Sequence, residues 1–172
     1  MKKITIFLAA SLFMMSCKNE TASTDAKKDS TAYSYKASYS SDWSISTNPK
    51  NTQTVLQSYK DWEDDKLSNG NSYIADTLEI DSWNGDKMRL TKDSTLRLWQ
   101  KGRDSLSSTK ISVIAWTTLH SNDKNEDWVS LWYTQTDTYK SGKVDSAFFQ
   151  DDNRIQDGKI VFISTKKQAM KK

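Results

Sequence analysis

The residue types that usually carry enzyme chemistry are sparse in this sequence. It contains one histidine, His120, and one cysteine, Cys17. Zinc sites use clusters of cysteine and histidine at short spacings, which one residue of each type cannot supply. The adjacent pairs Asp64-Asp65 and Asp151-Asp152 could bind a hard cation, but no spaced loop of oxygen ligands surrounds either pair. The sequence therefore predicts neither a metal site nor a bound cofactor.

His120 is a candidate catalytic residue because an imidazole can exchange protons near neutral pH. It lies where a predicted strand meets a loop, so a surface or hydrogen-bonded histidine is the alternative interpretation. Neither a GxSxG nucleophile elbow nor a glycine-rich phosphate loop is present. Nucleophilic serine chemistry and phosphoryl transfer are therefore not indicated.

Aromatic residues are abundant, with seven Trp, seven Tyr and five Phe in 172 residues. Such rings bury large areas and are typical of a packed sheet or of an aromatic-lined cavity. They could bind a flat or apolar ligand, or they could form the core and a dimer interface. The candidate ligand-binding residues are Trp62, Trp83, Trp99, Trp116, Trp128, Trp132 and Phe148.

The N-terminus has the pattern of a processing signal. Lys2 and Lys3 precede a run of twelve apolar and small residues, which is too short to span a membrane as a helix. The stretch FMMSC then resembles a bacterial lipobox, in which the cysteine is acylated and becomes the new N-terminus. Residues 1–17 are therefore predicted to be a lipoprotein signal peptide, with Cys17 as the lipidation site and an ordinary secretory signal as the alternative.

This prediction places the protein in the cell envelope, anchored to the lipid bilayer. Lys18 follows the cysteine, where Asp is linked with inner-membrane retention in some bacteria, so the outer membrane is favoured. Residues 18–47 are rich in Ser, Thr, Lys and Ala and are predicted to be a flexible tether. The aromatic spacing around Tyr39 and Trp43 could instead mark a short strand or an arm on the domain. A net charge of +3 gives no electrostatic case for nucleic acid, and residues 168–172 are predicted to be a basic tail.

Two amphipathic helices are predicted within a domain at 48–167. The first covers 49–68, because Asn48 is a good N-cap, Pro49 suits the first turn and apolar residues follow at helical spacing. A short strand at 72–83 follows. The second helix covers 92–107, with a cap at Thr91, Asp93 or Ser94.

The last third of the domain predicts four long antiparallel strands, at 110–121, 127–139, 144–155 and 158–165. Both alternating sets in the first two strands are largely apolar, which indicates a sheet covered on both faces. The helices should cover one face. Solvent, another chain or the N-terminal arm should meet the other.

This order of elements resembles the SnoaL-like branch of the nuclear transport factor 2-like family over 49–166. The resemblance rests on TVLQSYKDW in the first helix, on YIADTLEID before the second and on the closing RIQDGKIVFI. It implies an α+β cone fold: a curved antiparallel sheet of four to five strands wrapped around two to three N-terminal helices, enclosing a cavity. It also implies a possible homodimer through the exposed sheet face.

The family includes ketosteroid isomerases and polyketide cyclases, whose cavities use an Asp base and acidic or phenolic donors. The resemblance puts Tyr59 near the donor position and Asp81 near the base position. The third acidic group, expected on the penultimate strand, falls nearest Gln150, with Asp151 and Asp152 out of register. The alternative makes Tyr59 a core residue and Asp81 a turn residue.

Two functions therefore stay open at this point. The first is an envelope-anchored module that binds a small apolar or aromatic ligand, or a protein partner, without catalysis. The alternative is a cofactor-free isomerase, cyclase or hydratase that uses Asp81, Tyr59 and His120. The geometric test is whether these three side chains converge in one cavity.

Overall fold

A computed structural model describes residues 33–170, so the predicted signal peptide, Cys17 and most of the predicted tether lie outside the described residues. The compact unit begins at Lys36. In the described part of the chain, no helix is both long and apolar enough to cross a membrane.

The first helix, α1, spans Pro49–Glu63 and begins as predicted. The side chain of Asn48 accepts a hydrogen bond from the amide of Lys50, and Pro49 occupies the first turn, where a missing N–H costs nothing. The helix ends earlier than residue 68. The chain turns at Asp65, which has a φ of 57°, and continues as a 3₁₀ helix at Leu67–Ser72.

The second helix, α2, spans Lys92–Arg103, with Thr91 as its N-cap. The guanidinium of Arg103 is buried and donates to the carbonyls of Trp62 and Glu63 at 3.0 and 3.3 Å. Carbonyls at the end of a helix have no partner within the helix, so this side chain satisfies the last turn of α1. It thereby fixes α2 against α1.

A single sheet of seven strands packs against these helices, which corrects the predicted four to five strands. In chain order the strands are β1 (Trp43–Ile45), β2 (Ile74–Asp81), β3 (Lys87–Thr91), β4 (Leu106–Ser121), β5 (Glu126–Tyr139), β6 (Val144–Gln156) and β7 (Lys159–Ala169). Their spatial order is β1-β4-β5-β6-β7-β2-β3. The sheet is mixed, because β2 pairs parallel with β7 whereas every other pair is antiparallel.

The core lies between the helices and one face of this sheet, which we call the inner face. Val129 and Leu131 of β5 point inward and are fully buried, as are Val55 of α1 and Ile74 of β2. Leu106, which the sequence placed on the second helix, is instead the first residue of β4. The helix therefore ends before residue 107.

The outer face is covered in part by the N-terminal arm, residues 39–45. Tyr39 and Trp43 pack edge-on against Trp128, with ring centroids 5.7 and 6.3 Å apart. Residues 43–45 pair with β4. This placement agrees with the alternative interpretation of these residues as a short strand and an arm on the domain, rather than with a tether that extends to residue 47. The homodimer through the outer face stays a prediction.

Candidate functional site

A cavity of about 380 Å³ opens between the two helices and the inner face of the sheet. At its mouth Trp83 and Leu98 are 60% and 43% exposed. Its floor contains Tyr59 of α1, Tyr133 of β5 and Asp151 of β6, and Asp151 is only 4% exposed. The other lining residues are Ser58, Trp62, Leu67, Ile80, Ser82, Met88, Trp99, Gln135, Phe149, Ile163 and Thr165. Asp151 is the only carboxylate among the lining residues.

Two tyrosine hydroxyls converge on one oxygen of this carboxylate. Tyr59 and Tyr133 donate hydrogen bonds to Asp151 Oδ2 at 2.5 and 2.9 Å. The other oxygen, Oδ1, is buried and no described residue donates to it with hydrogen-bond geometry, although the hydroxyl of Thr165, opposite Asp151 in β7, is close enough to lower the pKa of Asp151. An unpaired carboxylate oxygen in an apolar site is unfavourable, so the group has unused capacity to accept a hydrogen bond.

The rings of the floor form an ordered stack. Tyr59 meets Tyr133 edge-on, with centroids 5.1 Å apart, and Tyr133 stacks on Phe149 at 5.2 Å and an interplanar angle of 11°. Edge-on and offset-stacked pairs are the favourable geometries for aromatic rings. These ring contacts orient the hydroxyl groups of Tyr59 and Tyr133 toward the carboxylate of Asp151.

Burial raises the pKa of Asp151 from 3.8 to about 6, against the hydrogen bonds from Tyr59 and Tyr133, which lower it. Removing the carboxylate from water disfavours its charged form, whereas donors to that form favour it. The pKa values of Tyr59 and Tyr133 are raised by burial first and by the negative charge of Asp151 second. Both phenols therefore stay protonated and remain donors at neutral pH.

The structure does not bring Tyr59, Asp81 and His120 together. Tyr59 lies on the cavity floor as described. Asp81 follows Ile80, which lines the cavity, and alternation along β2 therefore directs Asp81 to the outer face. There it forms an ion pair with Lys87 at 3.2 Å.

His120 lies at the other end of α1 from the floor. Its Nδ1 is 2.9 Å from Oδ1 of Asp127, and the side-chain amide of Asn51 donates to Oδ2 of the same carboxylate at 2.8 Å. Asn51 is in the first turn of α1, whereas Tyr59 is two turns later. His120 thus belongs to a polar cluster that anchors the start of the helix.

The candidate ligand-binding residues divide into two groups. Trp62, Trp83 and Trp99 line the cavity, and the expectation for the others is corrected. Trp116 lies in a separate groove beside Pro49. The alternation of the strands directs three further side chains to the outer face, namely Trp128, Trp132 and Phe148.

Asp151, Tyr133 and Phe149 are the site residues that sequence reasoning missed. The expected position on the penultimate strand was Gln150, one residue out of register. Gln150 pairs with Trp132, so both lie on the outer face, while Asp151 pairs with the buried Leu131. The alternation of β6 was the signal that could have identified Asp151. The apolar residues Ala147 and Ile155 mark which alternate positions are buried, and the inward positions are then Ala147, Phe149, Asp151, Asn153 and Ile155.

No cluster suited to metal binding accompanies this site. Among residues 33–170, no three His, Cys, Asp or Glu side chains lie close enough together to hold an ion.

Comparison with known proteins identifies the fold. No family model matches the chain, and no curated protein matches it. Solved structures do match. An LEH-like epoxide hydrolase from M. tuberculosis superimposes with a TM-score of 0.60 at 9% identity, over 72% of this chain and 86% of that one.

Two further solved structures also match the fold of this chain. A SnoaL-like protein from Jannaschia sp. CCS1, named as a polyketide cyclase, has a TM-score of 0.59 at 10% identity over 73% of this chain and 90% of that one. A protein of unknown function from Burkholderia pseudomallei has a TM-score of 0.54 at 14% identity, over 70% and 91%. At such identities the likeness shows the fold alone: the domain has the α+β fold of SnoaL-like and other nuclear transport factor 2-like proteins.

Proposed function

We propose that the domain binds a small, largely apolar or aromatic molecule in this cavity, with Asp151 as its polar anchor. The observation that carries the proposal is the buried Oδ1 of Asp151, which accepts no hydrogen bond from the described residues. A ligand with an O–H or N–H group at its inner end would supply the missing donor. The volume of about 380 Å³ suits a molecule with one or two rings.

The unpaired oxygen of Asp151 carries an energetic cost that a ligand could relieve. A buried polar atom without a partner costs about 1–3 kcal/mol, and a bound donor recovers that cost. Trp62, Trp99 and Phe149 offer apolar walls beside Asp151. A molecule that combines rings with one donor would use both features, whereas a charged or strongly polar molecule would lose its hydration against these walls.

Mass spectrometry of small molecules that copurify with the full chain tests this proposal. Ser58 lies on α1 and lines the cavity, so Ser58→Leu should fill the space and abolish copurification. Ser68 is exposed on the 3₁₀ helix, and Ser68→Leu is the matched control. A ligand that survives Ser58→Leu and Asp151→Asn would have to bind elsewhere, and the proposal would fail.

The second candidate function is proton transfer, as in a cofactor-free isomerase, cyclase or hydratase. The pKa of Asp151, about 6, favours it, because a carboxylate that is mostly ionised at pH 7 yet basic for its type is suited to general-base catalysis. In this proposal Asp151 takes the role of base that the family resemblance implies for Asp81. Tyr59 and Tyr133 would release Oδ2 in order to stabilise an enolate formed on the substrate.

Hydrogen exchange separates the two candidates. A catalytic site should exchange the carbon-bound hydrogens beside a carbonyl of the copurified molecule for deuterium in D₂O. Asp151→Asn should stop this exchange even when the molecule is added back at concentrations that saturate the weakened site. Binding without exchange at any pH between 5 and 9 would leave the non-catalytic module as the function.

We also propose that Cys17 is acylated and anchors the protein to the outer membrane. The FMMSC sequence supports this proposal. Cys17→Ala should move the protein from the membrane fraction to the soluble fraction. Persistent membrane association in that variant would disprove the anchor.

A further inference from the structure

Lys167 places a positive charge at the mouth of the cavity. Its ammonium lies 5.1 Å from the ring centroid of Trp83 and 5.5 Å from that of Phe149. Both rings line the cavity. Attraction between an ammonium group and aromatic faces at these distances holds the long side chain in place. The charge is therefore positioned beside the entrance, whereas most surface lysines leave theirs mobile.

This charge is only weakly neutralised. The carboxylate oxygen paired with it is Oδ2 of Asp145, 3.6 Å away, and the side chains of Lys167 and Asp145 are 25% and 45% exposed. An ion pair at this distance with partial access to solvent contributes only modestly to stability. At 3.6 Å this contact is longer than a hydrogen bond, and an ammonium group has three donors. An incoming anion would thus find a fixed cation with free hydrogen-bonding capacity.

Lys167 and Asp151 stand at a defined spacing on the inner face. Asp151 pairs with Thr165, and Phe149 pairs with Lys167. The two pairs are two residues apart along the strands, which corresponds to about 7 Å. One ring-sized molecule can therefore reach both groups. An anionic group at the floor would be repelled by Asp151, while the same group at the mouth would meet Lys167.

We propose that the ligand is an organic acid: a ring-sized apolar body with a hydrogen-bond donor that binds Asp151 and a carboxylate or similar anion that binds Lys167. This inference rests on the proposed function, in which the cavity is the ligand site and Asp151 is its inner partner. It adds the chemical class of the ligand and makes Lys167 the residue that selects it.

Three probes test each end of the molecule separately by isothermal titration of the full chain at pH 7. The first is 3-(4-hydroxyphenyl)propanoate, the second is its primary amide, which lacks the charge, and the third is 3-phenylpropanoate, which lacks the inner donor. Lys167→Met keeps the apolar stem and removes the charge. Lys167→Arg keeps the charge, and Lys166→Met changes the exposed neighbour on the outer face.

The unchanged protein should bind the hydroxy acid at least tenfold more tightly than its amide. Lys167→Met should remove that preference and leave the amide affinity unchanged, while Lys167→Arg and Lys166→Met should retain it. Equal binding of acid and amide, or a preference that survives Lys167→Met, would overturn the inference and leave the cavity as a ligand site. If none of the probes bound, or if their binding survived Ser58→Leu, both the proposed function and this inference about Lys167 would fail.

Discussion

The hydroxyl of Tyr59 on α1 lies 2.5 Å from Oδ2 of Asp151 on β6, across 92 positions of sequence. This contact joins the helix to the sheet at the cavity floor. Tyr133 donates to the same oxygen at 2.9 Å. Two donors to one buried carboxylate oxygen mean that the ionisation of Asp151 depends on both phenols, and each dependence can be measured.

Tyr59→Phe should raise the pKa of Asp151 above its present value of about 6, because one donor to the charged form is lost. A hydrogen bond to a charged group contributes about 1.5–3 kcal/mol, which corresponds to a rise of about 1–2 pH units. Carboxyl-carbon NMR titration measures the change. Tyr139→Phe, at the end of β5, is the control and should leave the titration unaltered. A lower pKa in Tyr59→Phe would show that water replaces the lost donor.

The buried carboxylate should also make stability depend on pH. The pKa of Asp151 rises from 3.8 to about 6 on folding, so the folded state binds this proton more tightly than the unfolded chain does. Its contribution to stability is complete below pH 3.8 and is lost as pH rises through 6. The loss amounts to about 3 kcal/mol.

Asp151→Asn isolates this contribution, because the other acidic groups titrate equally in both proteins. The free energy of unfolding of the unchanged protein, minus that of Asp151→Asn, should fall by about 2.5 kcal/mol between pH 4 and pH 7. Urea denaturation at a series of pH values measures the difference. If this difference stayed constant across the pH range, the pKa of Asp151 would be the same in the folded and unfolded states.

Two glycines should respond in opposite directions to the same substitution. A Cβ at Gly70 would lie 2.5 Å from Leu96 Cδ2 and 3.2 Å from Ile74 Cδ1, so Gly70→Ala should destabilise the domain by about 1–3 kcal/mol through overpacking. A Cβ at Gly102 would meet Trp62 at an ordinary 3.6 Å. Gly102→Ala should stabilise α2 by about 0.5 kcal/mol. Thermal denaturation compares the two, and a stabilised Gly70→Ala would show that Leu96 moves without cost.

The long elements were predictable from the sequence, and the short ones were not. Strands β4 to β7 carry many alternating residues, so their positions were predicted to within about four residues. β1 and β3 have only three and five residues and follow no long pattern. Their strand character comes from pairing with β4 and β2, which only the fold provides.

The site shows where sequence reasoning fails for a different reason. Tyr59 was singled out through helical spacing and the family resemblance, but choosing Asp151 over Gln150 required the phase of a strand. A shift of one residue exchanges the two faces of a sheet. Aspartates at 151 and 152 look alike in sequence, yet Asp151 is buried and Asp152 accepts a hydrogen bond from Ser130 at 2.6 Å on the outer face.

The aromatic arm on the outer face provides a last test, one that is local to the N-terminal part of the domain. Trp43 packs against Trp128, and the amide of Ser46 donates to the carbonyl of Thr118 at 2.9 Å. Trp43→Ala should remove an aromatic contact of about 0.5–1.5 kcal/mol and so speed exchange of the Ser46 amide about five- to tenfold.

Hydrogen exchange followed by NMR measures this change residue by residue. The amide of the fully buried Leu131 should keep its protection in Trp43→Ala, because the arm lies outside the core. Trp83→Ala removes an exposed ring from the cavity mouth and should leave Ser46 unaffected. If Ser46 exchanged at the same rate in Trp43→Ala as in the unchanged protein, the pairing of β1 with β4 alone would hold the arm, and the packing on Trp128 would be secondary.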